Sequence, residues 1–533
     1  MNMTIGKRFN ISSKIFAGIG SVALVIFSMI GKAEAQTIED AYRLSWQTPV
    51  GTARSTAMGQ AGVALGGDMG FVFSNPAASA IYRYNEVTFS PILSMNSTDM
   101  TYLGNKTNDS KTTFGISNFG MVGSFKTGAV SGLKSWSLSI AYNRLNDFNS
   151  SVYATGRTAE SSYLSSMAAG LEGTHGKDLD ITDSYDPFVS HSWKNVLAWN
   201  ASLLDTLPGT GGREYKGATE NLVGASGGFI DIVTGGELDQ RYTSVSKGNV
   251  SEASLNIGGN FDDILYIGAT IGIQSIYYRT DQSYSEFAVN SSDFQTGFNS
   301  FTHKYSLKTT GTGINFRVGA IFTPVHFIRL GASISTPTWM YLHDEWEERM
   351  ISDLSATPTS KAYYANLVSP LGKYDYILRT PFRWNIGGAF VFGQLGTVSV
   401  DYERTDYSTM KLKDPDYKGE FDNENAAIKE KYRAADNLRI GAELMATPTV
   451  AIRAGFQYYS SGIKGDDREN YIGSAGLGYS SKSGFFADLT YVRQLKESKA
   501  DYQFYNSLEN KKAPVANASW YNSRLVLTLG FRF

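Results

Sequence analysis

The chain has 533 residues, 48 Lys+Arg against 50 Asp+Glu, and no cysteine. A net charge of −2 offers no field for nucleic acid or another polyanion, and the missing thiols exclude disulfides, thiolate metal sites and a lipidated N-terminal cysteine. A mean hydropathy of −0.22 excludes a helical membrane protein, whereas 54 Gly, 32 Tyr and 30 Phe suit extended structure.

Residues 1–35 read as a secretory signal. Lys7, Arg8 and Lys14 precede an uncharged run from Ile15 to Ile30, and Ala33-Glu34-Ala35 offers a small-x-small cleavage site before Gln36. The run is shorter than the roughly 20 apolar residues that a spanning helix needs. The mature chain is therefore expected to cross the inner membrane.

Residues 36–85 do not alternate. They are dense in glycine (Gly51, Gly59, Gly62, Gly66, Gly67, Gly70) and end near Asn75-Pro76-Ala77. Glycine and Asn-Pro permit close backbone approach and tight turns. Such a segment is expected to be ordered only inside something else, as a plug.

From Glu86 onward the period is two. Trp136, Leu138, Ile140 and Tyr142 share one face of a strand, as do Leu265, Ile267, Ala269, Ile271 and Ile273, and again Ile314, Phe316, Val318, Ala320 and Phe322. The chain closes on the same pattern, with Leu525, Leu527, Leu529, Phe531 and Phe533 opposite Arg524, Val526, Thr528, Gly530 and Arg532. Short turns such as those after Phe322, Phe392, Leu444 and Tyr479 alternate with long polar connections at 342–372, 408–431 and 498–517. Tyr and Trp gather at strand ends. These are the habits of an outer-membrane barrel, and the count is about fourteen strands, an even number as closure requires. The predicted fold is all-β: a transmembrane antiparallel barrel over 86–533, with 36–85 as a hatch in its lumen and a long external loop at 151–237.

The opposite face of the strands carries charge. Arg317, Arg383, Arg439 and Arg453 stand with Asp401 and Glu403 on the lumen side. An excess of guanidinium suits a substrate carboxylate, but salt bridging across the lumen and to hatch acids such as Glu39, Asp40 and Asp68 is the reading favoured here. In the long loop, Trp193, Val196, Leu197, Leu203, Leu204 and Leu207 make an apolar stripe at helical spacing. It serves either to pack the loop on itself or to form an external hydrophobic groove.

Catalytic chemistry is not legible. Gly224-Ala225-Ser226-Gly227-Gly228 spells a nucleophile elbow but sits in a glycine-rich external loop rather than between a strand and a helix. The five histidines are scattered, and no phosphate loop or metal-ligand cluster appears. No catalytic residue, metal or cofactor is assigned. A barrel hydrolase acting on lipids and a haem or hydrophobic-nutrient receptor are the alternatives to a transporter.

The stretch "GTARSTAMGQAGVALGGDMGFVFSNPAASAIYR" resembles the N-terminal hatch of FadL-type transporters for long-chain fatty acids and aromatic hydrocarbons. Gly59, Gly62, Asp68 and Asn75-Pro76-Ala77 carry the resemblance, together with the strand count and the terminal Phe533. It implies a monomeric barrel in the outer membrane of a Gram-negative-type bacterium. Such a barrel captures hydrophobic molecules outside, passes them through a hatch-gated interior and releases them sideways into the surrounding lipid, without cofactor or nucleic acid. The C-terminal strand ending in Phe533 is then the expected handle for the barrel-assembly machinery. In that family the sideways exit goes with a kink in the third strand. Lys134 to Asn146 holds neither Gly nor Pro, so Gly115, Gly120 and Gly123 of the preceding strand are the candidates for a wall opening.

Overall fold

A computed structural model describes Leu24–Val25 and residues 37–533, apart from 183, 225–229, 359 and 467. The signal-peptide reading lies outside the described residues, save for Leu24–Val25, which pair in parallel with Tyr502–Gln503. Fourteen antiparallel strands form the wall. They are β1 (Glu86–Tyr102), β2 (Asn105–Lys126), β3 (Leu133–Asp147 and Ser150–Thr158), β4 (Leu238–Phe261), β5 (Leu265–Ala288), β6 (Phe298–Val325) and β7 (Ile328–Ser335 and Trp339–Leu354). There follow β8 (Gly372–Arg379 and Arg383–Val391), β9 (Gly396–Asp406), β10 (Ala434–Thr447), β11 (Val450–Tyr459), β12 (Asn470–Ser480), β13 (Phe485–Gln494) and β14 (Val515–Arg532). Each pairs with its neighbours in sequence, and β14 returns to β1 with Glu86 opposite Arg532 and Thr101 opposite Asn517. Closure pairs the first strand with the last and so removes the terminal edges of the sheet, as a lipid environment demands because it cannot hydrogen-bond a free backbone group.

The outward face is the apolar one. Phe114, Ile140, Leu255, Ile271, Val318, Leu330, Ile386, Ile440, Leu477, Leu489 and Leu529 are exposed around the circumference, while their inward neighbours, such as Thr270, Asn315, Asp401 and Thr528, are buried. A strand needs about 9–11 residues to cross a bilayer. β4 and β5 have 24 residues each and β6 has 28, so the wall continues well beyond the lipid on the side of the long loops. Two sequence expectations change for this reason. The connection 342–372 is not a loop throughout, because β7 runs to Leu354, and the long external loop starts after Thr158 rather than at 151. Beyond the lipid the outward positions are polar, so alternation of hydrophobicity no longer marks a strand.

Inside the wall lie three hatch helices, α1 (Ile38–Ser45), α2 (Ala53–Ala57) and α3 (Phe71–Ser74), followed by a 3₁₀ turn at Pro76–Ile81. A capping box between Thr37 and Asp40 starts α1. The long loop adds α4 (Tyr163–Ala169) and α5 (Trp193–Asn200), and the β9–β10 loop adds α6 (Asp422–Lys431).

Candidate functional site

The wall is interrupted between β2 and β3. Backbone pairing runs from Lys126–Ser135 up to Asn118–Asn143 and stops there. Beyond that point β2 continues paired to β1 alone. Opposite, β3 bulges at Leu145, where Val250 faces Asn146 and Ser251 faces Arg144, and it breaks at Phe148–Asn149. Asp147 Oδ1 accepts from the Asn149 amide at 2.9 Å, an Asx turn inside a strand. The β4 partner at the break is Gly248 at φ +125°, and its carbonyl takes the Phe148 amide at 2.9 Å. A Cβ there would lie 2.0 Å from the Tyr277 carbonyl. Further out the gap is bridged by side chains, including Thr107 to the Tyr153 carbonyl, Ser151 to Asp109 (2.5 Å) and Lys111 to the Ser246 carbonyl (2.7 Å).

The hatch occupies the inner side of this interruption. The Thr48 amide donates to the Leu145 carbonyl at 2.9 Å and the Val50 amide to the Arg144 carbonyl at 3.0 Å, so the hatch pairs with the edge that β2 has left. Ser117, the bulged residue of β2, donates to the Gly51 carbonyl at 3.0 Å, and Asn146 Nδ2 to the Trp46 carbonyl at 3.1 Å. Of the three candidate wall glycines only Gly115 lies at the gap, where a Cβ would stand 2.6 Å from an Arg144 guanidinium nitrogen. Gly120 sits in paired ladder on both sides and makes room for Met69 of the hatch, and Gly123 is paired to Leu138 of β3, so neither lies at the gap. The kink that Lys134–Asn146 does not announce by Gly or Pro is made by the bulge at Leu145, by the break between Asp147 and Ser150, and by the opposing Gly248. A pocket of about 300 Å³ adjoins it, lined among others by Arg43, Asp147, Phe148, Tyr278 and Trp520. The Arg43 guanidinium lies 4.6 Å from the centre of the Tyr278 ring.

The hatch residues singled out in the sequence seat the plug. Asn75 is fully buried; its Nδ2 donates to the Val63 carbonyl (2.6 Å) and the β6 Ala320 carbonyl (3.0 Å), while its Oδ1 accepts from the Ala77 amide. The Pro76 carbonyl accepts from Asn256 of β4 at 3.0 Å, and Ala77 is buried beside Tyr266 of β5. Asp68 accepts from Thr52 (2.7 Å) and from the Gly70 amide (2.8 Å), a bond within the hatch. Gly59 takes φ +60° against the β10 and β11 backbones, and a Cβ on Gly62 would overlap the Phe71 ring.

The lumen charges are paired. Arg317 bonds Glu252 and lies 4.5 Å from the Phe73 ring centre. Glu403 takes Arg439 at 3.0 Å and Arg383 at 3.7 Å, and Arg383 also donates to the Ser45 carbonyl at 2.6 Å. Asp401 accepts the hatch Val63 amide at 2.9 Å. Arg453 joins Glu443 and Asp488, each at 2.5 Å. The expected pairing of wall arginines to hatch acids is corrected. Asp40 pairs with its own helix neighbour Arg43, Glu39 pairs with Lys431, and it is the hatch cation Arg54 that reaches a wall acid, binding Glu443 through two nitrogens at 2.9 and 3.0 Å.

Five inward wall glycines escaped the sequence reading. A Cβ on Gly268, Gly319, Gly331, Gly441 or Gly455 would stand 2.0–2.3 Å from a hatch atom, so the plug lies against bare backbone. Four of the five carry a signal, an Arg-x-Gly repeat: Arg317-Val318-Gly319, Arg329-Leu330-Gly331, Arg439-Ile440-Gly441 and Arg453-Ala454-Gly455. Arginine and glycine two apart in a strand share the inward face.

The stripe of the long loop is packed. Val196, Leu197, Leu203 and Leu204 are buried in a cap with Met350, Phe298 and Phe301, Trp193 stacks on Trp346 at 5.6 Å, and Leu207 is half-buried. In place of an open groove at these six positions, the structure has a loop pressed onto the outer end of the barrel. The cap rests on a polar knot around Glu286, which accepts from Ser162 (2.5 Å), the Tyr163 amide (2.8 Å), Gln240 (2.9 Å) and Tyr284 (3.0 Å). Glu286 lies well beyond the lipid-facing belt, and burial pushes its carboxyl up to about 7 against those hydrogen bonds. Of the elbow-like motif only Gly224 falls within the described residues.

By sequence, the chain matches no family model and no curated protein. Among solved structures it is similar to a FadL homologue of Pseudomonas aeruginosa, at 13% identity over 92% of this chain and 100% of that one, with a TM-score of 0.50. It is also similar to the toluene transporter TodX of P. putida, at 13% identity over 90% and 98% of the two chains, with a TM-score of 0.51. The likeness is one of fold: a hatch-plugged fourteen-stranded barrel of the FadL type.

Proposed function

We propose that this protein carries hydrophobic small molecules passively across an outer membrane and lets them leave through the wall between β2 and β3. The observation that carries the reading is the unpaired edge of Arg144–Ser150 covered from inside by hatch residues 46–51. Irregular backbone at membrane depth is tolerated only where protein or water covers it. A movable cover at such a place is an exit. The axial route suits an oily molecule badly, because Gln274, Asn315, Arg317, Arg383, Glu403 and Arg439 crowd a void of only about 30 Å³ beside the hatch. An apolar solute forced through would have to part ion pairs, at about 3–5 kcal/mol for each buried partner lost. Likeness in fold to a toluene transporter supports trying toluene, and the hatch's resemblance to fatty-acid transporters supports trying a long-chain fatty acid.

The test is flux of a labelled long-chain fatty acid and of toluene into proteoliposomes. Asn75→Ala and deletion of 66–77 are expected to change the flux while the barrel stays heat-modifiable on gels. Unchanged flux in both variants would remove the hatch from the mechanism. Release of product from phospholipid in the same preparation would favour the hydrolase instead.

A further inference from the structure

Just beyond the lipid-facing belt, the outward faces of β4, β5 and β6 carry a cationic row. The ladder sets Lys247 directly opposite Arg279, and Arg279 directly opposite Lys308. Like charges at directly opposed positions repel, and three consecutive strands repeat the fault. Arg241 and Lys304 lie further out on the same faces. Two carboxylates answer these five cations on β4–β6: Asp239, 2.7 Å from Arg241, and Asp281, 2.9 Å from Arg279. Glu345 of β7 takes Lys308 at 3.0 Å. Lys247 and Lys304 are exposed and make no ion pair among the described residues. On the far side of the barrel Arg404 pairs with Asp436 and Lys499 with Glu497.

The height of the row is fixed by its neighbours. Tyr277, an exposed ring at the end of the apolar run Ile267–Ile271–Ile273, points outward two residues before Arg279. Two residues of strand are about 7 Å. The cations therefore stand at the level where headgroups meet water. We propose that this row is a docking surface for the phosphorylated glycolipids of the outer leaflet. Asp281 holds Nε and Nη2 of Arg279, which leaves Nη1 to donate to a phosphate oxygen, and the flanking ammonium groups add point charge, which relieves the repulsion that the ladder imposes. β4 adjoins β3, so a lipid held on Lys247 sits one strand from the wall gap. The inference rests on the outer-membrane reading above.

The experiment compares protein purified from a host that makes bisphosphorylated lipid A, after reconstitution into phosphatidylcholine vesicles with and without added lipid A. Lys247→Gln combined with Arg279→Gln and Lys308→Gln is expected to lower retained lipid A about tenfold or more, and Arg404→Gln with Lys499→Gln to leave it unchanged. Dephosphorylated lipid A should bind the unaltered protein as weakly as lipid A binds the triple variant. Equal retention of the phosphorylated and dephosphorylated forms overturns the proposal even if the triple variant fails to fold, and so does equal retention by the folded variant. Failure to insert into either vesicle would count against the membrane reading instead.

Discussion

The Val50 amide donates to the Arg144 carbonyl at 3.0 Å, and these two residues face each other as antiparallel partners between the hatch and the broken strand of the wall. One segment therefore obstructs the lumen and covers the wall gap. The chain has no cysteine, so Val50→Cys with Arg144→Cys creates a single disulfide at a spacing that paired strands allow. Oxidation of that variant is expected to stop uptake in proteoliposomes and reduction to restore it. Equal flux in both states would show that the cover need not move.

The two faces of the last strand are expected to fail differently. Leu527 is half-buried on the lipid side, and Leu527→Arg should cost about 2–4 kcal/mol if it lies near the midplane, read as urea unfolding from vesicles. The sequence alone, which sets Thr528 on the face away from lipid, makes Thr528→Arg a mild change. The structure reverses this, since Thr528 is fully buried, takes the Ala53 amide at 2.6 Å and bonds Ser90 at 2.7 Å. Thr528→Arg should leave a folded barrel with a hatch that protease cuts. A protected hatch would contradict the seating.

Glu443 holds Arg54 of the hatch and Arg453 of the wall at once. Glu443→Gln takes the ion-pair partner from Arg54, whereas Arg453 keeps Asp488; a loss of about 3–5 kcal/mol is expected where one partner of a buried pair is removed. The expected outcome is faster amide exchange across 52–67 and a higher ion conductance in planar bilayers, with exchange in the wall strands unchanged. Uniformly faster exchange would place the loss in the barrel instead.

The external cap is expected to loosen as pH rises. Glu286 titrates near 7 when folded against an ordinary 4.5, so the folded cap binds the extra proton between those values. Its stability is greatest below about 4.5, falls as pH climbs towards 7 and stays at the lower level above; the total is on the order of 3 kcal/mol. Proteolysis within 159–237 should quicken between about pH 5 and pH 8, the span of the titration. Glu286→Gln should flatten that profile. A steep profile in the variant would assign the titration to another group.

The alternation from Glu86 to Phe533 was enough to determine the barrel, its closure and which rows meet lipid, because a period of two admits one buried face and a bilayer admits no free edge. The glycine-dense segment and its Asn75-Pro76-Ala77 stop marked the hatch for a similar reason, since backbone can only lie that close to a wall without side chains. The outer ends of the long strands were hidden, because there the outward positions are polar and the apolar ones, such as Tyr284, Phe301 and Met350, turn inward under the cap, the reverse of the pattern at lipid depth. Tertiary structure alone decided where the wall is interrupted. The break depends on Gly248, which lies about a hundred residues from Phe148 in the chain, and on hatch amides at 48 and 50 that replace the missing strand. It also decided the partners of the lumen charges, because a strand pattern gives the face of an arginine but not the acid that closure brings across from it.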